Sequence, residues 1–202
     1  MKTSKRIVVI LAVIGLFGIA TARGATVPSK TLGNLQSAFN GESNAHAKYI
    51  AFAQKAESEG YGKVASLFRA AAAAEEVHYT CEAAVIKGMN ETPQADVKEA
   101  PVASTKQNLE DSANKGEAYE RDTMYPRFIK QARKDGNEGA GQCFKYAQAA
   151  EAEHFKLFKA AANNLDQMKG GPQTYYVCSE GGYTMAKLNA VKCPGGKYEE
   201  VK

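Results

Sequence analysis

Glu75-Glu76-Val77-His78 and Glu151-Ala152-Glu153-His154 are two copies of one pattern, Glu-x-x-His. Each follows a Gly-Glu pair at nearly the same interval: Glu42 precedes Glu75 by 33 residues and Glu117 precedes Glu151 by 34. On a helix, residues i and i+3 share one face, one turn apart. A carboxylate and an imidazole so placed can bind one metal or two neighbouring ones. Two such helices, with a Glu from each of two others, make a dinuclear carboxylate site inside a four-helix bundle. The expected ligands are Glu42, Glu75, His78, Glu117, Glu151 and His154.

The surrounding chain supplies four helices. Leu35, Phe39, Glu42, Ala45, Tyr49 and Phe52 recur at spacings of three and four, which predicts a helix from Ser29 or Thr31 to about Glu59. A second runs from about Lys63 to Lys87 and stops at Gly88. Its inward face carries Leu67, Ala71, Ala74, Glu75, His78, Cys81 and Val85, and Glu76 is solvated. A third begins near Ser104, where Ser104-x-x-Gln107 resembles a capping box, and ends at Asp135-Gly136-Asn137. Pro126 inside it predicts a kink or bulge. A fourth covers about Glu138 to Lys169, with Phe144, Ala147, Glu151, His154 and Phe158 on one side.

Residues 88–103 contain Pro93 and Pro101 and no apolar period. Extended, such a link reaches roughly 50 Å, more than the about 38 Å of a 25-residue helix. Two hairpins joined by one long crossover is the ferritin-like topology. The hairpins read as an internal repeat, Asn34-Leu35 opening one and Asn108-Leu109 the other, with Tyr49 and Tyr125 at similar distances beyond. The repeat breaks once. Three residues after Glu42 stands Ala45; three after Glu117 stands Glu120, an extra carboxylate and the seventh candidate metal ligand.

Burying so many carboxylates without cations would be costly. Carboxylates with a few imidazoles suit iron, with manganese the other choice, over thiolate-seeking metals. The 202 residues carry a formal charge of +4, but Lys2, Lys5 and Arg6 fall in a segment expected to be removed, and without them the balance is near neutral. No basic stripe with interleaved aromatics is present, which gives nucleic-acid binding no support. Met1 to Arg6 is basic, Ile7 to Ala20 apolar, and Ala20-Thr21-Ala22 a small-x-small cleavage site, the layout of a secretory signal peptide over residues 1–22. The apolar run is short for a span of about 20 residues, so cleavage near Ala22 is expected over an uncleaved anchor. The folded part is expected outside the cytoplasm, in the periplasm.

Asn34 to Tyr49 (NLQSAFNGESNAHAKY), EEVH at 75–78, GEAYERDTMYP at 116–126 and EAEH at 151–154 resemble the rubrerythrin family over roughly residues 31–169. The resemblance implies a non-haem di-iron peroxidase that reduces hydrogen peroxide to water, usually as a homodimer. It implies bridging carboxylates from Glu75 and from Glu117 or Glu151. It gives Glu120 and His78 a catalytic part, one iron moving between them with redox state. Tyr49 and Tyr125 match tyrosines that hydrogen-bond around the site; as residues alone they read equally well as core tyrosines. A ferritin-like ferroxidase or an iron-storage protein is the alternative.

Residues 170–202 are similar to a rubredoxin segment with half its thiols. The frame is Cys178-Ser179-Glu180-Gly181 and Cys193-Pro194-Gly195-Gly196, with Gly181 and Gly196 where second cysteines would stand. A rubredoxin-type Fe(Cys)4 centre is therefore not expected, and an unidentified external donor must supply electrons. Cys178 and Cys193 would flank the lost iron, and in an oxidising compartment a disulfide between them is expected. Cys81 and Cys143 are expected as free thiols. Taking the two Glu-x-x-His motifs as level, antiparallel packing offsets these cysteines by about 7 Å along the axis, unfavourable for a bridge.

Overall fold

The computed structural model describes residues 29–189, 192, 193 and 195–202; the signal-peptide reading of residues 1–22 lies outside them. The chain forms a four-helix bundle with a small three-stranded sheet. Helix α1 is Lys30–Ser58 and α2 is Gly62–Gly88. Helix α3 spans 105–134, and α4 is Glu138–Asn163. None of the described helices is long and apolar enough to cross a membrane.

The helix ends follow from capping. Ser29 Oγ accepts from Leu32 N at 3.1 Å and starts α1. Ser104 Oγ accepts from Gln107 N at 3.3 Å, but Gln107 turns its amide to Asp111 rather than back to the cap. Only half of the expected capping box forms. The sequence places the end of α4 near Lys169. Instead, Asn164 leaves helical geometry (φ −123°, ψ 37°) and Leu165–Met168 form a 3-10 turn.

Helix α3 is not uniform. Its α-helical ends, Thr105–Asp111 and Tyr125–Lys134, flank two π stretches, Ser112–Glu117 and Glu120–Met124. Pro126 lacks the N–H that would bond back one turn, and the widened turns lie just before it. Among its buried residues, one inward row is Leu109, Ala113, Glu117 and Tyr125. They recur every four or eight positions rather than at 3.6, the phase shift that inserted π turns produce.

The crossover runs extended along α1 and is held by a ladder of amides. Gln36 Oε1, Asn40 Oδ1 and Asn44 Oδ1 accept from the backbone N–H of Gln94, Asp96 and Lys98 at 3.0, 2.8 and 3.0 Å. Four helical residues rise about 6.0 Å and two extended residues about 6.6 Å, so the periods match. Thr105 N then donates to Glu59 Oε2 at 2.9 Å, starting α3 at the far end of α1. Thr31 closes the other end, donating from N and Oγ1 to Asp135 Oδ2. Replacing Asn40 and Asn44 by Ala together is expected to cost about 1–2 kcal/mol, read as a lower urea midpoint. An unchanged midpoint would show that the ladder only decorates the crossover.

Strands β1 (Tyr175–Cys178), β2 (Thr184–Met185) and β3 (Tyr198–Val201) form an antiparallel sheet in the order β2-β1-β3. The sheet packs on α2 and α4. Gly62 N donates to Gly170 O and Gly170 N to Gly60 O, fastening the start of the tail to the first hairpin turn.

Cys178 and Cys193 form a disulfide with Cα atoms 5.6 Å apart. Cys81 and Cys143 are also bridged, with Cα atoms 5.8 Å apart, which corrects the expectation of free thiols. The reason is side-chain lean. Helical side chains tilt toward their own N-terminus, and α2 and α4 run in opposite directions. Facing Glu and His side chains therefore meet only when their backbones are staggered. That stagger cancels the offset obtained by setting the motifs level.

Candidate metal centre

Four helices aim carboxylates and imidazoles into one buried layer: Glu42 from α1, Glu75 and His78 from α2, Glu117 from α3, Glu151 and His154 from α4. All six are at most 2% exposed. Apolar plugs close the layer on both sides. One contains Tyr49, Phe52, Phe68, Leu109 and Phe158; the other contains Leu35, Ile86, Tyr125 and Phe144.

The donor atoms fall into two metal-sized groups, each with its atoms within 4.8 Å of one another. Glu42, Glu75, His78 and Glu151 form one; Glu75, Glu117, Glu151 and His154 form the other. Glu75 and Glu151 are common to both groups and would be the carboxylates shared by a pair of ions, whereas Glu117 belongs to one group only. The helices interlock through these acids. His78 Nδ1 lies 2.8 Å from Glu75 Oε2 and 3.1 Å from Glu151 Oε1. His154 Nδ1 lies 2.7 Å from Glu151 Oε2 and 3.7 Å from Glu75 Oε1.

The tail fixes both imidazoles. His78 Nε2 is 3.1 Å from Gly181 O, and a carbonyl can only accept, so that nitrogen carries its hydrogen. His154 Nε2 is 3.0 Å from Thr184 Oγ1, whose own hydrogen goes to Gly182 O at 3.1 Å. Both rings are thus oriented with Nδ1 toward the carboxylates, as partners outside the ligand set commonly arrange for a metal-binding histidine.

The tyrosines sit at the two ends of the site. Tyr49 Oη donates to Glu117 Oε1 and Tyr125 Oη to Glu42 Oε1. Each uses one oxygen of a carboxylate whose other oxygen faces inward. Burial, with the neighbouring acids, pushes both phenols well above their usual range, so both keep their protons.

The electrostatics call for cations. Glu42 Oε2, Glu75 Oε1, Glu117 Oε2 and Glu151 Oε1 are buried without a hydrogen-bond partner. Burial and then mutual repulsion raise the Glu42 and Glu117 carboxyls well above their usual range. Burial would raise Glu151 as well, but His78 and His154 hold it below that range. Burial would lower His78, yet Glu151 and Glu75 outweigh it and raise its pKa. A pair of divalent ions fits this donor set: these four carboxylates, each with an unbonded oxygen, all belong to the two groups, and they are hard donors suited to iron or manganese.

Glu120 stands outside both groups. It is half-buried on the second π stretch. Burial, then Glu151 and Glu75, push its carboxyl up to about 8. Sequence reasoning missed Glu82, which is fully buried. Its Oε1 is 3.5 Å from Tyr125 Oη and its Oε2 has no partner. The signal was present, since Glu82 follows Glu75 by seven and His78 by four, both same-face intervals. Cys81 and Val85, expected on that face, lie at its edge, while Glu82 and Ile86 are buried. Thr184 and Gly181 were also missed, because only the fold brings the tail to the histidines.

Fold and side chains together define a ferritin-like protein with a carboxylate-rich, di-iron-type site. A family model described as Rubrerythrin matches residues 33–162, and the chain belongs to the rubrerythrin family. It is 39% identical to nigerythrin of Nitratidesulfovibrio vulgaris over 174 residues, covering 86% of this chain and 85% of that protein. It is 33% identical to rubrerythrin-2 of Clostridium acetobutylicum, covering 79% and 88%. The solved fully reduced, all-ferrous state of nigerythrin superposes with a TM-score of 0.72 at 38% identity, covering 82% of this chain and 81% of that one.

Proposed function

We propose that this protein is an exported, homodimeric peroxidase that reduces hydrogen peroxide to water and is re-reduced by an external donor. The observation that carries the reading is Glu120: a carboxylate beside the two metal-sized groups, in neither of them, and without a counterpart at Ala45. A site built only to hold two ions is complete without it.

Two ferrous ions, when bound, supply the two electrons, so that one peroxide and two protons give two waters. Glu42, Glu75, His78, Glu117, Glu151 and His154 would hold them, with manganese the other candidate. Glu75 and Glu151, common to both groups, would be shared by the two ions, and the apolar plugs keep bulk water from the layer. Glu120, half-buried at the edge of the layer, can carry a proton inward to the departing oxygen. Tyr49 and Tyr125 hold Glu117 and Glu42 in place while charge changes between them. The segment resembling a rubredoxin contributes two cysteines rather than four, which is why the donor must come from outside.

The test is anaerobic reduction of the iron-loaded protein followed by rapid mixing with peroxide or oxygen. Stoichiometric oxidation at least 10-fold faster with peroxide supports the peroxidase. Equal rates would make it a ferroxidase, and a protein that binds neither iron nor manganese is neither. Glu120→Ala is expected to retain most of its metal while its preference for peroxide falls at least 10-fold.

A further inference from the structure

The Cys81–Cys143 bridge differs from an ordinary staple in its position. It ties α2 to α4, the two helices that carry the Glu-x-x-His pairs. Cys81 lies three residues after His78, about 4.5 Å of axial rise away. It is partly exposed and lines a groove of about 530 Å³ together with Thr80, Ala84, Tyr146, Glu180 and Gly181. Gly181 in turn presents its carbonyl to His78 Nε2. One surface groove therefore touches both the disulfide and the backbone bonded to a metal-site histidine. The other bridge is closed off: Cys178 and Cys193 are 0% and 4% exposed, and the Cα of Gly196 packs so tightly that a Cβ there would lie 2.5 Å from Cys193 Sγ.

We propose that Cys81–Cys143 is a redox-active disulfide, the port through which an external protein dithiol supplies electrons to the metal centre. The proposal rests on the peroxidase reading and names the chemical class of its donor. A thiolate of the dithiol attacks Cys81 Sγ, and the Cys81–Cys143 bond breaks with a mixed disulfide as intermediate. The second thiol of the dithiol then displaces Cys81, leaving two protein thiols and an oxidised partner. In the return step the two thiols lose two electrons to the ferric pair and two protons, and their bond re-forms. Those electrons and protons match what one peroxide needs, so the cycle nets one dithiol and one peroxide to one disulfide and two waters.

The test uses the full-length iron-loaded protein and dithiothreitol as the probe dithiol, with maleimide trapping and peptide mass spectrometry as readout. After mild anaerobic reduction and desalting, Cys81 and Cys143 should be labelled and Cys178 and Cys193 not. One equivalent of peroxide should then remove both labelled thiols, at least 10-fold faster in iron-loaded than in metal-free protein. Cys81→Ser/Cys143→Ser should lose at least 10-fold in dithiothreitol-driven turnover. The proposal is overturned if the bridge resists dithiothreitol, if the thiols survive while the iron absorption shows oxidation, or if metal-free protein loses them as fast. If the iron itself does not respond to peroxide, the peroxidase reading fails instead, and trapping still reports whether the bridge exchanges.

Discussion

Stripped of metal, the protein is expected to lose stability as pH rises from about 4 to about 8, whereas the metal-loaded protein should hold or gain stability over that range. The direction follows from the buried acids. Glu42, Glu117 and Glu120 have raised pKa values in the folded chain, Glu120 to about 8. A carboxyl that binds its proton more tightly when folded stabilises the fold below its unfolded pKa of about 4.3. That contribution disappears as pH climbs through the folded value. His78, also raised, acts in the same direction. Glu151 is held low by the two histidines and acts oppositely, but its window lies at more acidic pH. Glu120 alone, going from about 4.3 to about 8, corresponds to about 5 kcal/mol at about 1.36 kcal/mol per pH unit. Solvent screening of this partly exposed group lowers that, and a loss on the order of 3 kcal/mol, about 6–12 °C in Tm for a chain of this size, is the expected minimum. Cations reverse the dependence, because they bind the deprotonated donors and release protons. Calorimetric Tm of chelated and reconstituted protein at pH 5 and pH 8 measures this. A metal-free Tm that rises with pH would mean that the carboxylates are not burdened as the structure has them.

The second large effect is expected at Gly182. Its φ is +71°, a region that side chains rarely adopt, and a Cβ there would stand 2.5 Å from His78 Nε2 and 2.9 Å from Ala74 O. Gly182→Ala must lift the segment that gives Gly181 O to His78 and Thr184 Oγ1 to His154. Backbone strain of about 1–3 kcal/mol is expected, with metal affinity about 10–100-fold weaker once the imidazoles lose their outer partners. Titration of the metal-free variant with Co(II), followed by absorption, reads the affinity directly. Thr184→Ser keeps the hydroxyl and should bind like the parent; Thr184→Val should lose only the His154 contribution. Parent-like affinity in Gly182→Ala would show that the tail merely covers the site.

The four helices, the crossover and the six residues of the buried layer are readable because each rests on a local period. The Glu-x-x-His interval is a property of any helix, and the link 88–103 had the length to span the bundle. Glu120 was legible as a break in an internal repeat. Glu82 was equally legible by its interval from His78, yet a single acid on a helix is usually solvated, and only its burial distinguishes it. The choice of Glu75 and Glu151 as the shared pair depends on how four helices converge, which no spacing within one helix reports. The tail's grip on the histidines joins His78 to Gly181, 103 residues on, and His154 to Thr184, 30 residues on, through contacts that no local period encodes.

The cysteines mark the boundary most clearly. Their positions along α2 and α4 are fixed by residue count, and a level alignment of the motifs keeps them apart. Whether they meet depends on the stagger between antiparallel helices. That stagger comes from the opposite lean of long side chains packing around a shared centre. Sequence alone thus determined that the two Glu-x-x-His pairs, Glu42 and Glu117 point into one layer, since facing is a matter of helical phase. Tertiary structure alone decided which of them are shared, what orients them and which thiols bond, since those depend on axial register and on contacts between distant parts of the chain.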